Sequence, residues 1–333
     1  MLNPKLKLNP KIFNSDVEQA STRKGFGEGL LKAGEENKNV VALCADLTES
    51  VHMHLFAEKF PKRFIEVGVA EQNLVTVSSG MAAMNKIPFC GSYSIFSPGR
   101  NWEQIRTTIA YNNRAVKIIG SHSGLTVGPD GGSHQMLEDI ALMRTIPNME
   151  VFSPCDAIEA KKVTLILAKN NKPSYLRLVR EKSPIVTTEE TPYEIGGAEI
   201  FWMPDVGLAK VGIIVTGELV YNALLCAKEL ETEGIKTKVM NLITIKPIDK
   251  EAIIRLAKEC KAIVTVEDHQ IAGGMGSLVA EVLAENYPVP IEFIGVKDKF
   301  GQSGGAGELL EYYGLGVKDI KEAVKKVLKR KTS

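Results

Sequence analysis

Apolar runs of strand length recur along the chain at 40–45 (VVALCA), 64–69, 87–93, 116–120, 149–153 and 174–179, most of them separated by a helix-length segment. Continuous apolar runs, as opposed to alternating ones, suit strands covered on both faces, so the spacing predicts a parallel sheet wrapped by helices. Helices are predicted over Val17 to Asn37 and over roughly Glu71 to Met84. After Ser183 the segment 184–207, containing PIVTTEETPYEIGG, turns rich in Thr, Glu, Pro and Gly, which predicts a connection with a short β excursion. Alternation then restarts, with strands at 213–218, 237–242, 262–267 and 291–296, helices between them, and two terminal helices. Met1 to Phe13 alternates Leu, Asn, Pro and Lys and predicts an extended arm. The expected architecture is therefore α/β: an arm over 1–15, a parallel-sheet domain over 16–183, a linker over 184–207, and a smaller doubly wound domain over 208–333.

Composition adds exclusions. A chain of 333 residues with 44% hydrophobic content can bury the cores of two domains. Forty-one basic against forty acidic residues leave no field that draws nucleic acid or an anionic membrane, and no apolar run reaches spanning length. Neither nucleic acid nor membrane is an expected partner. The five cysteines are scattered without a CxxC pair and read as buried thiols of a reducing cytoplasm, and no signal peptide is recognised at the opening.

Candidate chemistry concentrates in two stretches. In FIEVGVAEQNLVTVSSGMAAMNKIPFCGSYSIF (64–96), Glu71 follows a strand through Gly68 and heads a small-residue helix. One reading is a solvated residue complementing the helix dipole. The other is an acid removed from water among Val, Ala, Leu and Gly, where burial favours its protonated form and makes it a proton switch. Tyr93 and Phe96, at i and i+3, either face one ligand together or are core aromatics. The second stretch, SHSGLTVGPDGGSHQ (121–135), gathers His122, Asp130 and His134 on a glycine-rich loop expected to be useless as core. A ligand loop and simple loop-capping hydrogen bonds both fit it. The glycines at 131 and 132 break helical pairing of Asp130 with His134 and no further ligand is spaced nearby, so no metal site is expected. The run Gly273-Gly274-Met275-Gly276 reads as close helix packing or as a phosphate cradle, without the spacing of a nucleotide fingerprint.

The order Gly-Val-Ala-Glu-Gln-Asn, the glycine-containing helix, Pro88 and Tyr-Ser-Ile-Phe at 93–96 resembles the pyrimidine-binding domain of the transketolase family of thiamine diphosphate enzymes. The resemblance runs from about Asp16 to Lys329 and implies a thiamine diphosphate-binding fold followed by a transketolase C-terminal domain. It implies that Glu71 hydrogen-bonds the cofactor's aminopyrimidine, that Tyr93 and Phe96 pack on that ring, and that Asp46 lies near the cofactor. It further implies that His122, Asp130 and His134 contact the sugar's hydroxyls and carbonyl oxygen, His134 also assisting proton transfer. Arg23, Ser50 and Arg180 match the family's grip on the sugar phosphate. No Gly-Asp-Gly sequence for the diphosphate and Mg²⁺ is present, so the chain resembles the C-terminal half of a split transketolase. A separate N-terminal subunit is then expected to supply the diphosphate and Mg²⁺ site, in an α₂β₂ heterotetramer acting on sugar phosphates. Other readings are a half of a related enzyme, such as a 2-oxoacid dehydrogenase beta subunit or a deoxyxylulose phosphate synthase-like chain, and a non-catalytic assembly subunit. A His at 122 separates the chain from deoxyxylulose phosphate synthase.

Overall fold

The computed structural model describes residues 1–331, which build two sheets and a small strand pair. Seven strands form the first sheet in the order 244–246, 150–152, 174–177, 117–121, 87–93, 40–44, 64–66. All neighbours pair in parallel except Thr244–Lys246, which runs antiparallel at one edge. Val40–Cys44 and Lys117–Ser121 are buried at every position, as strands covered by helices on both faces must be. The second sheet has the order 291–296, 263–270, 211–215, 237–241, 199–202, and only Glu199–Trp202 is antiparallel. Two doubly wound α/β units result, with ligand-bearing residues at the carboxyl ends of strands, where such sheets open.

Several sequence boundaries shift for physical reasons. The helix expected from Val17 begins at Thr22, because Gln19–Ala20 pairs antiparallel with Ser183–Pro184 and holds the preceding chain extended. The run 64–69 is a strand only over Phe64–Glu66: Gly68 takes a φ of 70°, which glycine adopts without strain, and Val69 is turned out to solvent. The opening segment is not an extended arm. It folds in turns, burying Leu6, Leu8 and Ile12 in the second unit's core with Phe201 and Trp202, and Leu2 bridges Trp202.

Neither sheet respects the predicted domain limits. Glu199–Trp202, inside the predicted linker, is an edge strand of the second sheet. Thr244–Lys246 leaves the second unit to complete the first, where Lys246 Nζ donates to the carbonyls of Arg144 (3.0 Å) and Ile146 (2.6 Å). All five cysteines are free and buried. Among the described residues no helix is long and apolar enough to cross a membrane.

Candidate active site

Glu71 is the first residue of helix Glu71–Ala83, and the chain enters that helix through the turn at Gly68. Its side chain is only 2% exposed. The acid does not stand alone, as the sequence reading supposed. Its Oε2 accepts from Arg100 Nη1 at 2.7 Å, and its backbone carbonyl accepts from Asn101 Nδ2 at 2.9 Å, so the buried charge has a partner and the helix start is pinned. Arg100 is 48% exposed, and its guanidinium lies over the Phe96 ring, 4.7 Å from the centroid. Tyr93 and Phe96 are parallel within 10°, with centroids 6.1 Å apart. Tyr93 in turn stacks on His122 at 3.7 Å, and Phe96 meets His134 edge-on at 5.7 Å. A continuous line of contacts thus joins Glu71, Arg100, the two aromatics and both imidazoles.

The loop 121–135 is more ordered than its glycines suggest. Leu125, Thr126 and Val127 are buried in the short 3-10 segment Leu125–Asp130, with positive φ at Gly124, Gly128 and Gly131, so the loop does contribute to the core. His122 is buried at a φ of 56°, with its Nδ1 2.9 Å from Ser121 Oγ. Burial first, then the Arg23 and Arg180 charges, push its imidazole down to about 3, which keeps it neutral at ordinary pH. Asp130 is exposed, 3.7 Å from Arg180 Nη1, and that same nitrogen donates to Val127 O at 2.6 Å. Half-buried His134 has its Nδ1 3.0 Å from Ser133 Oγ.

Arg23 joins the distant parts of the chain. Its Nε donates to Arg180 O at 3.2 Å and its Nη1 to Ser50 O at 2.7 Å, so Arg23, Ser50 and Arg180 occupy one place. Ser50 meets Arg23 through its backbone carbonyl, not its hydroxyl. Asp46 is exposed at a φ of 60°, and its backbone N–H donates to Glu66 Oε1 at 2.7 Å.

Sequence reasoning missed Arg100 and Asn101, although a charge and an amide directly after SIFSPG were a signal. It also missed His52, two residues beyond Ser50, which burial and then the Arg23 charge push down to about 4. The glycine run packs a helix and cradles no phosphate. The Met275 and Gly276 N–H groups are already spent on Glu267, at 2.7 and 2.8 Å, and a Cβ at Gly274 would collide with that carboxylate.

Residues 18–185 match the family model of the transketolase pyrimidine-binding domain, and residues 205–320 that of the transketolase C-terminal domain. The chain is 44% identical over 311 residues to a protein named a transketolase C-terminal section from Methanocaldococcus jannaschii, covering 92% of this chain and 96% of that one. This chain belongs to the transketolase family. It is also 37% identical over 319 residues to a 6-deoxy-6-sulfo-D-fructose transketolase subunit of Clostridium sp. strain MSTE9, covering 96% of this chain and 98% of that one. Among solved structures it is similar to a split gene transketolase described as an inactive β4 tetramer, with a TM-score of 0.87 and 41% identity over 94% of this chain and 99% of that one. The transketolase fold accounts for the placement of the site at the carboxyl ends of the first sheet's strands.

Proposed function

We propose that this chain is the C-terminal subunit of a two-chain transketolase that moves a two-carbon ketol unit from a ketose phosphate to an aldose phosphate. The observation that carries the reading is convergence: a buried carboxylate with two parallel aromatic rings sits in one line of contacts with two imidazoles, beside two arginines brought together from opposite ends of the domain. The donor set fits an aminopyrimidine. Glu71 Oε1 has no donor among the described residues and suits a ring nitrogen, while Tyr93 and Phe96 offer flat faces. Thiamine diphosphate, when bound, supplies the electron sink for breaking and re-forming a carbon–carbon bond next to a carbonyl.

The chain's own residues do the rest. Glu71 holds the pyrimidine and exchanges a proton at its ring nitrogen, and Asp46 lies at the cofactor's edge. Neutral His122 and the Asp130 carboxylate bind sugar hydroxyls, and His134 moves a proton at the sugar's carbonyl oxygen. Arg23 and Arg180, with Ser50, seat the terminal anion, for which guanidinium forks are suited. The Clostridium relative is named for a sulfonated sugar, and a sulfonate anion would suit guanidinium forks as a phosphate does, so phosphate and sulfonate sugars are both substrates to test. Mg²⁺ and the diphosphate are assigned to an N-terminal partner subunit in an α₂β₂ assembly, since this chain carries no Gly-Asp-Gly sequence for them. Five buried free thiols suit a reducing cytoplasm.

Reconstitution tests this. The chain mixed with an N-terminal subunit, thiamine diphosphate, Mg²⁺ and a ketose and aldose phosphate pair should turn over, and the chain alone should not. Turnover by the isolated chain would overturn the two-chain reading.

A further inference from the structure

Behind the loop 121–135, where the two units meet, lies a cluster of ionisable groups with no part in the proposed chemistry, Asp139, Arg177 and Asp268 buried and Glu218 half-buried. Asp139 accepts from Tyr175 Oη at 2.8 Å and from Arg177 Nε at 2.9 Å, and Arg177 Nη2 donates to Asp268 O at 2.6 Å. Asp268 reaches over from the strand Ile263–Gln270. Its Oδ1 accepts the Leu125 N–H at 3.0 Å, and its carboxyl fills the space beside Gly124, where any Cβ would collide with it. Gly124 sits at a φ of 81°, so only glycine lets the loop close on Asp268. Glu218, in the turn Gly217–Leu219, which packs against the strand Ile263–Gln270, has its carboxyl facing that of Asp268 closely enough for the two charges to interact.

Two oxygens of this pair, Glu218 Oε1 and Asp268 Oδ2, are sealed from solvent with no donor among the described residues. Buried polar atoms are normally satisfied, so a donor is missing. The surrounding charges say which. Among the described residues Arg177 is the guanidinium that faces the carboxyls of Asp139, Glu218 and Asp268, and Asp139 already engages it. Glu267 is occupied by the N-terminus of helix Met275–Asn286, and burial pushes the His269 imidazole down to about 4, leaving it neutral. Two ionised carboxylates in contact away from water are unfavourable, and a proton on one removes the conflict.

We infer that Glu218 and Asp268 share one proton, carried by Glu218 and donated to Asp268, and that this bond fixes the loop bearing His122, Asp130 and His134, making Glu218 a positioning residue. Asp268 is the better anion, since it accepts the Leu125 N–H and feels Arg177. Burial, then the Asp268 charge, push Glu218 up to about 8. A carboxyl raised in the folded state contributes stability that is fully present below its unfolded value and is lost as pH rises through its folded one. The positioning role rests on the proposed function, whereas the shared proton does not.

Infrared difference spectra between the wild-type and Glu218→Gln chains at pH 7 should show the carbonyl stretch of a protonated acid in the wild type alone, fading above about pH 8. A difference showing only carboxylate bands would overturn the shared proton. Raising the pH from 6 to 9 should lower the urea midpoint more in the wild type than in Glu218→Gln, and equal losses would count against it. In the assembled enzyme, Glu218→Gln, which keeps a donor, should leave KM for the sugar phosphate within about twofold. Glu218→Leu should raise KM about tenfold with kcat nearly unchanged. Equal KM values in all three would overturn the positioning role alone. If Glu218→Leu does not fold, a large rise of KM in Glu218→Gln overturns that role just as well. Failure of the proposed function would show separately, as a wild-type assembly without turnover.

Discussion

At His122 three constraints meet: a backbone φ of 56°, a ring stacked on Tyr93, and the guanidinium charges of Arg23 and Arg180 nearby. The backbone and the stacking fix the ring, while burial and then the arginine charges keep it neutral, so it can exchange a hydrogen bond with a sugar hydroxyl without adding charge beside the arginines. An NMR titration should therefore show no protonation of His122 between pH 5 and 8, and a midpoint near its ordinary value of 6.5 would contradict this. The sign for stability follows. The unfolded chain takes up this proton first as pH falls, so the contribution of His122 is lost below about 6.5. Glu71, Tyr93, Phe96, His122 and His134 were singled out through the likeness of their strings to the transketolase family, and the structure brings them into one line of contacts. Arg100 was not, since an exposed arginine reads as surface charge until the fold lays it across Phe96 and onto Glu71.

Elements are held in place by a few buried polar groups. Asp156 caps the helix Ala157–Leu167 by accepting from Glu159 N at 2.8 Å, and its carboxylate also takes the N–H groups of Val186 (2.8 Å) and Thr187 (2.7 Å). One side chain thus ties a helix start to the segment leaving the first unit. Asp156→Ala removes the cap and leaves buried donors unpaired, so it should cost about 3 kcal/mol, read as a lower urea midpoint. A loss below about 0.5 kcal/mol would show that water replaces the carboxylate. Strands buried on both faces were readable from their apolar runs, and so was the helix headed by Glu71. The folding of the first fourteen residues was not, because Leu6, Leu8 and Ile12 are too widely separated to show a period and acquire a core only when the second sheet is present. The glycine loop misled for the opposite reason, its few apolar residues being buried by Asp268 and neighbouring segments distant in sequence.

Across the whole molecule the two units are laced together by the strand Thr244–Lys246, by the opening segment and by the Arg177 and Asp268 contacts, none of which composition along the chain could reveal. Such lacing should make unfolding a single transition. Trp102 reports the first unit, where its Nε1 donates to Leu142 O at 3.0 Å, and Trp202 reports the second sheet. Fluorescence of Trp102→Phe and Trp202→Phe chains should give coincident denaturant midpoints, and well-separated ones would show two independently folding units. In the proposed assembly the same arrangement presents the carboxylate, the aromatics and the arginines as one half of a site for a second chain to complete. The most direct measurement is turnover of the reconstituted assembly carrying Glu71→Ala. Its rate should fall at least about a hundredfold, with assembly and denaturation midpoint close to wild type. Turnover near the wild-type rate would contradict the account.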